Sequence, residues 1–366
     1  TYQSMLIAVG IALVFSALSI FGARSIMRFV CGTSETLALA TEYYKINAYG
    51  FFFQILTMNI TAAFRGIGVT RLPMLYNLAG RLLNVFLNYL LIYGRVGFPE
   101  LRSAGAAWAT VLSQAASCVF VLAMLRRRDI PIRLEPDRLS APLMGKVLLF
   151  GLTPFLTISL DSVILIVLNA VLQSRGGPGM GDTLVSCNTI VQSYMLLITM
   201  PMGGITGGCQ PIVSYNYGAG NTGRIRRAIR YVLLLCLAFT TVMTAITFTL
   251  SPLFVRLFTS DQALIPLTVR YIRRFCLCVI PLAVQYTAVD MSTALGRVRH
   301  SLFCSLNRKI WFTVLTVALP ALMGAADAAF WAEPIVDLGC AVLTSLLVFP
   351  TLPGFLRRRE LMRDGA

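Results

Sequence analysis

The residues of this chain that could do chemistry are carboxylates embedded in apolar sequence: Asp161, Asp290, Glu333 and Asp337. A charged carboxylate is costly to place in hydrocarbon, so one that is retained there usually serves a function. Asp161, within GLTPFLTISLDSVILIVLN, has no basic residue in the same apolar run. We therefore predict that it binds a proton or cation. The alternative is a neutral Asp that only ties helices together by hydrogen bonds.

This hypothesis requires Asp161 to exchange its cation. A permanent pair with a basic side chain, or a position facing lipid, would leave the exchange cycle without a site. Asp290 is less promising as a site, because it lies within two turns of Arg297 and is expected to pair with Arg297 or Arg299.

Glu333 and Asp337 are four positions apart and share one helix face, with Pro334 between them. They line a cavity, or Glu333 marks the membrane interface beside Trp331. The sequence leaves both interpretations open.

Uncharged amides form a second group of candidates. Asn84 and Asn88 are also four positions apart, so both project into a cavity or against a neighbouring helix. We predict a substrate cavity that involves Asn84, Asn88, Asn188, Gln192, Gln285 and Asp337.

The elements that must position these residues are membrane-spanning helices. Hydrophobic residues make up 57% of the chain and charged residues only 13%, about half the charged share of a soluble domain. The apolar residues come in runs of about 20 or more, the length that crosses a bilayer. We predict an all-α integral membrane protein with about ten spans, near residues 4–31, 37–64, 73–94, 104–125, 143–172, 183–214, 228–255, 264–293, 301–322 and 330–353.

Basic residues predict the orientation of these spans. The net charge is +16, but the arginines gather at the ends of alternate spans, which argues against nucleic acid as a partner. The richer side includes residues 126–128 and 357–359. Because positive residues favour the cytoplasm, we expect a multi-pass protein of the plasma membrane with both ends of this chain cytoplasmic.

The first part of the chain resembles the last third at an offset of about 228 positions. The matching pairs include Arg28 and Arg256, Tyr43 and Tyr271, Gly68 and Gly296, Arg71 and Arg299, Arg81 and Lys309, and, after a short deletion, Trp108 and Trp331. Such duplication is typical of transporter folds. Because predicted spans five and six have no partner upstream, we expect two further spans before Thr1 and a twelve-helix plan of two pseudo-symmetric bundles.

The duplication also predicts the domain boundaries. We place an incomplete N-terminal bundle at 1–128, a cytoplasmic linker at 129–142 and a six-helix bundle at 143–366.

The segment MPMGGITGGCQPIVSYNYGAGNTGRIRRAIR is rich in glycine and proline. We expect it to end a span, with close helix contacts at the small residues or a helix break that lines a cavity. A phosphate-binding loop is the competing interpretation, but no strand precedes the segment and the GK[ST] ending is missing.

The sequence lacks the residue patterns typical of metal sites, enzyme active sites and nucleotide-binding sites. The nine cysteines lie mostly in apolar runs and His300 is the one histidine, so we predict no metal site. We identify no nucleophile with a base partner, and therefore predict no enzyme activity. With no nucleotide-binding motif, the energy source would be an ion gradient.

Three parts of the chain resemble the multidrug and toxic compound extrusion (MATE) family. They are FRGIGVTRLPMLYNLAGRLLNVFLNYLLIYG with GFPELRSAGAAWATVLSQ, then MPMGGITGGCQPIVSYNYGAGNTGRIRRA, and FWAEPIVDL. The resemblance runs along nearly the whole chain from the family's third helix. It implies a two-lobed exporter that exchanges H⁺ or Na⁺ for organic, often cationic, drugs by alternating access.

By the same resemblance, Asp161 falls where many members place an acidic residue in the second lobe's cation site. Asn84 matches an asparagine of the first lobe. Asn88 stands where many members have Asp, and Leu282 stands where some have a coupling Asp. The family's acidic residue in the first helix would lie before Thr1.

We therefore predict a secondary antiporter, monomeric in the lipid bilayer, that exports drug-like small molecules and needs no cofactor beyond H⁺ or Na⁺. Two alternatives stay open. One is a flippase for lipid-linked oligosaccharides, which would need a strongly cationic cavity. The other is a non-transporting scaffold or remnant.

Overall fold

The computed structural model describes residues 2–30, 34–69, 71–95, 97, 99–126 and 140–364. In this part of the chain the prediction of an all-α protein is confirmed, because the regular structure is helical throughout. The helices in chain order are α1 (Tyr2–Val30), α2 (Ser34–Gly66), α3 (Arg71–Tyr93), α4 (Arg102–Leu125), α5 (Ala141–Gly176), α6 (Met180–Gly218), α7 (Thr222–Arg256), α8 (Leu264–Phe275), α9 (Val279–Ala294), α10 (Val298–Met323), α11 (Ala332–Val348) and α12 (Thr351–Asp364), with a 3₁₀ turn at Ala326–Trp331 before α11.

Within the described residues, eight segments are long and apolar enough to cross a membrane, and the bent pair α8 and α9 makes a ninth. Of the ten predicted spans, the one near 37–64 does not meet this standard. It forms the 33-residue helix α2, whose first half carries Glu42 and Lys45.

The helices form two compact units, Thr1–Phe150 and Gly151–Ala366. In the first unit, α2 packs against α1 and α4, and α3 packs against α4. In the second unit, α9 packs against α6, α7, α10 and α11. Its core includes Tyr194, Phe275 and Phe330, and the ring of Phe330 stacks on Tyr271 at 4.3 Å. Most of the predicted linker, 129–139, lies outside the described residues.

The two units repeat one helix ending, at Gly68 and at Gly296. In each unit the glycine has positive φ, +82° and +72° respectively. The amide after each glycine donates to the carbonyl five residues back, Val69 to Phe64 at 3.0 Å and Arg297 to Ser292 at 2.8 Å. This is the Schellman arrangement that closes a helix, and it favours glycine because other L-residues are strained there. The matched glycines therefore mark equivalent helix ends.

The units differ at the helix before this ending. In the first unit it is the unbroken α2, whereas in the second it is α8 and α9, which meet at a bend of 49°. The predicted single span 264–293 is therefore broken at Cys276–Cys278.

The expectation that the Gly/Pro segment ends a span is met at its Gly-Ala-Gly turn, where α6 ends at Gly218, but the alternative of a helix break inside the segment is wrong. Helix α6 runs for 39 residues through Pro201 and Pro211 and ends at Gly218. A spanning helix tolerates proline where neighbouring groups satisfy the freed carbonyl. Among the described residues, a Cβ atom added at Gly203 or Gly204 would meet nothing within 4 Å, so the expected close helix contact is not seen at these two glycines.

Candidate functional site

The chemistry of the second unit centres on two neighbouring basic residues in α10, Arg308 and Lys309. Adjacent positions on an α-helix point about 100° apart, so their side chains reach different helices. Lys309 pairs with Asp161 of α5, and Arg308 pairs with Glu333 and Asp337 of α11. Five ionisable side chains, three of them acidic, thus meet within one unit.

Arg308 holds both acidic residues of α11. Its Nη2 and Nε atoms donate to Oδ1 of Asp337 at 2.9 and 3.1 Å, and Nη2 also donates to Glu333. The side chain of Asp337 is 0% exposed and that of Glu333 is 8% exposed. Glu333 is therefore buried and paired, which favours the cavity over the interface beside Trp331 among the two interpretations that the sequence left open.

Asp161 is paired with a basic side chain: no basic residue shares its apolar run, but Lys309 reaches it from α10. The hypothesis of ion exchange at Asp161 therefore requires that this pair opens. The two side chains differ in burial: Asp161 is 62% exposed, whereas Lys309 is 8% exposed. The carboxylate is thus paired and still accessible from one side.

Two cavities adjoin this pair. One has a volume of about 520 Å³ and the other of about 230 Å³, and both are lined by Asp161, Tyr286, Arg308 and Lys309. The larger one is also lined by Glu333, but Asp337 lines neither. Asp337, which the sequence placed in the substrate cavity, is instead buried against Arg308.

Amides extend the polar lining of the larger cavity between α5 and α6. Nδ2 of Asn188 donates to Oδ1 of Asn169 at 2.8 Å, and Nε2 of Gln192 donates to Oδ1 of Asn188 at 3.4 Å. All three residues line the cavity with Asp161. Asn188 and Gln192 therefore lie where a substrate cavity would use them.

Gln285 lies in the smaller cavity and is 2% exposed. Its Nε2 atom donates to the carbonyl of Cys304 at 3.4 Å. Leu282, one turn before it on α9, is buried in the core.

Asn84 and Asn88 belong to the first unit. Nδ2 of Asn84 donates to Oγ of Ser113 at 3.2 Å and to Oγ1 of Thr110 at 3.4 Å. Asn88 in turn donates to Oδ1 of Asn84 at 3.0 Å. Of the two interpretations, these bonds favour contact between neighbouring helices, here α3 and α4.

The expected pair between Asp290 and an arginine does not form among the described residues. Asp290 accepts a hydrogen bond from Thr206 of α6, and Arg297 instead donates to Oγ1 of Thr351 at 2.6 Å. Asp290 points toward α6, away from the turn that carries Arg297, and it lines the smaller cavity.

The reasoning from sequence missed Arg308 and Lys309 as site residues. The sequence analysis named Lys309 only as the repeat partner of Arg81, because carboxylates were the only charged residues that it considered inside spans. The signal was present, since the dipeptide Arg308–Lys309 lies in the middle of predicted span 301–322. Basic residues at that depth are as unusual as acidic ones.

A family model described as MatE matches residues 1–90 and 157–319 of the chain. Among curated proteins, the multidrug export protein MepA of Staphylococcus aureus (strain bovine RF122 / ET3-1) is 26% identical over 349 residues, covering 94% of this chain and 73% of MepA. MepA of Staphylococcus saprophyticus is 24% identical over 334 residues, covering 91% of this chain and 72% of that relative.

Solved structures show the same fold. A MATE protein in the straight conformation has a TM-score of 0.85 at 19% identity, covering 97% of this chain and 79% of that one. A transporter of the MOP superfamily from Pyrococcus furiosus, described as having a binding pocket of reverse polarity, has a TM-score of 0.86 at 20% identity, covering 97% of this chain and 78% of that one.

Proposed function

Because this chain belongs to the MatE family of membrane transporters, we propose that it exports small organic molecules, preferentially cations, in exchange for H⁺ or Na⁺. The observation that carries the proposal is Asp161, an exposed carboxylate that lines two cavities and is held by a lysine from another helix. A proton, a sodium ion and a cationic substrate can each replace Lys309 as its partner.

The pairing with Lys309 limits the cycle but does not prevent it. A fully exposed ion pair contributes about 0.2–1 kcal/mol, whereas breaking a buried pair by removing one partner costs about 3–5 kcal/mol. Asp161 is exposed and Lys309 is buried, so opening their pair costs an amount between these limits. One charge crossing 100 mV supplies about 2.3 kcal/mol and one pH unit about 1.4 kcal/mol. The energy that a physiological gradient supplies is therefore of the same order as the cost of opening the pair.

The larger cavity suits a drug-like molecule. Its volume of about 520 Å³ falls within the range of ligand pockets, about 300–1,000 Å³. The amides of Asn188 and Gln192 offer donors and acceptors without charge, and the ionisable lining consists of two carboxylates, Asp161 and Glu333, and two basic groups, Arg308 and Lys309. This balance speaks against the flippase alternative, which needs a strongly cationic cavity.

We place the protein in the plasma membrane as a monomer, with both ends of this chain in the cytoplasm. The arginine-rich ends of alternate spans support this orientation.

The test is coupled transport by the chain in proteoliposomes. We expect Asp161→Asn to abolish movement of H⁺ or Na⁺ driven by a cationic dye, because an amide neither ionises nor binds a proton at neutral pH. Asp261→Asn is the matched control, since Asp261 is an exposed carboxylate between α7 and α8.

Dye efflux and ion movement in Asp161→Asn that equal those of the unaltered chain would remove Asp161 from the mechanism. If the unaltered, folded chain moves neither dye nor ions, the non-transporting alternative is supported instead.

A further inference from the structure

A cavity of about 750 Å³ lies at one end of the second unit, where α9 gives way to α10 and α11 meets α12. Its lining comes from two stretches, 296–300 and 350–355. None of its lining residues lines the cavities beside Asp161. It is therefore a separate feature of the molecule, and its chemistry is independent of the proposed function.

The wall of this cavity contains a buried cation, Arg297, which is 8% exposed. Its guanidinium lies 5.2 Å from the ring centre of Phe355, and its Nη2 atom donates to Thr351. Its Nη1 atom has no hydrogen-bond partner among the described residues, and no carboxylate in that part of the chain pairs with it. A buried guanidinium without a counter-charge is costly.

Removal from water also affects the pKa of Arg297. Burial lowers the pKa of the Arg297 guanidinium, which is what removal from water without a compensating anion does to a cation. A negative charge in the cavity would offset that cost.

Two further positive contributions meet at the same place. At the start of α10 the N–H groups of His300 and Ser301 donate to the carbonyl of Arg297, which leaves those of Val298 and Arg299 as the donors that carry a partial positive charge. Arg299 and His300 are exposed on the same cavity lining. Phosphate oxygens are the ligands that arginine forks and helix N-termini both bind well.

The repeat indicates that the buried guanidinium of Arg297 belongs to the second unit alone. The positions that match Arg297 and His300 in the first unit are Val69 and Leu72, although Arg71 matches Arg299. The Schellman turn does not require arginine, because Val69 makes the same backbone bond. Helix closure therefore does not explain Arg297.

We propose that this cavity binds a phosphate group, with the side chains of Arg297, Arg299 and His300 and the backbone N–H groups of Val298 and Arg299 as its donors. The cavity lies where spans end, the depth at which lipid headgroups are found, and it is also open to soluble phosphate. A lipid headgroup and free phosphate offer the same chemistry, so the experiment separates them.

The experiment measures equilibrium binding to the purified full chain in detergent. The probes are radiolabelled phosphatidylglycerol, phosphatidylcholine and inorganic phosphate. We expect Arg299→Gln combined with His300→Gln to weaken binding at least tenfold, because both side chains are exposed donors whose loss leaves the fold intact. Arg71→Gln, the repeat counterpart outside this cavity, should bind like the unaltered chain.

Arg297→Gln is a second variant for the same binding measurement, with its folding checked by gel filtration. We expect this variant to weaken binding as well. Binding of phosphatidylglycerol alone identifies an anionic lipid headgroup, and binding of inorganic phosphate as well identifies the phosphate itself. Absence of binding to every probe overturns the proposal. So does binding that the Arg299/His300 double variant leaves unchanged.

Discussion

At the scale of single residues, the three carboxylates that pair with Arg308 and Lys309 differ in burial and in partner. Asp337 is 0% exposed and shares two hydrogen bonds with Arg308, so that pair serves to hold α10 against α11. Asp161 is 62% exposed and meets one lysine. Because Asp337 is buried whereas Asp161 is exposed and lines two cavities, the ion exchange that we propose involves Asp161.

The role of Lys309 as an internal competitor gives a prediction for Lys309→Gln. Without its ammonium, Asp161 can take a cationic substrate unopposed, and we expect binding of a cationic dye to tighten about tenfold, the equivalent of about 1.4 kcal/mol. A fluorescence titration of the purified chain measures this. Arg81→Gln is the control, because Arg81 is the exposed repeat counterpart of Lys309. Weaker or unchanged binding in Lys309→Gln would contradict the competition.

At the scale of helices, the repeat relates the pair α3 and α4 of the first unit to the pair α10 and α11 of the second, but the side chains between the two helices differ. The match of Trp108 with Trp331 sets Thr110 opposite Glu333 and Gln114 opposite Asp337. In the first unit Thr110 accepts a hydrogen bond from Asn84, and in the second Glu333 pairs with Arg308. The α3–α4 contact is thus neutral and the α10–α11 contact is charged. This difference places the ion-binding chemistry that we propose in the second unit.

The repeated Schellman turn predicts a specific cost for Gly296→Ala. A Cβ atom at φ +72° is strained by about 1–2 kcal/mol, so we expect a lower midpoint of thermal unfolding in detergent. Gly203→Ala is the control, because that position is helical and its added Cβ would meet nothing within 4 Å. There alanine should stabilise the helix, by about 0.5–1 kcal/mol. An unfolding midpoint for Gly296→Ala at or above that of the unaltered chain would refute the strain argument.

At the scale of the whole molecule, alternating clusters of arginine predict which ends of the helices face the cytoplasm. With α2 counted as a tenth span, this rule predicts that both ends of this chain lie on the arginine-rich side. The turn between α7 and α8, with Asp261, is predicted to lie on the other side.

Reporter fusions check this orientation. We expect green fluorescent protein fused after Ala366 to fluoresce and alkaline phosphatase at the same position to be inactive, because the phosphatase folds only after export. Phosphatase inserted at Asp261 should be active. The reverse pattern of activities would show that the chain is inserted the other way.

The helical class and the repeat follow from local properties of the chain. A run of apolar residues must satisfy its own backbone hydrogen bonds in a bilayer, and a helix does so without distant partners. The matched glycines predicted equivalent turns for a similar reason, because positive φ is a property of one residue. Proline was a weaker guide: Pro201 and Pro211 lie within α6 because tertiary surroundings accept them.

The partners of the charged groups depended on folding. Lys309 lies 148 positions from Asp161, and Thr206 lies 84 positions from Asp290. Spacing along one helix cannot reveal a contact between two helices, since it depends on how each helix is rotated and where it crosses the other. For that reason the sequence identified Asp161 as a candidate, and only the folded chain revealed Lys309 as its partner. In the proposed exchange, a cation must replace Lys309 at Asp161.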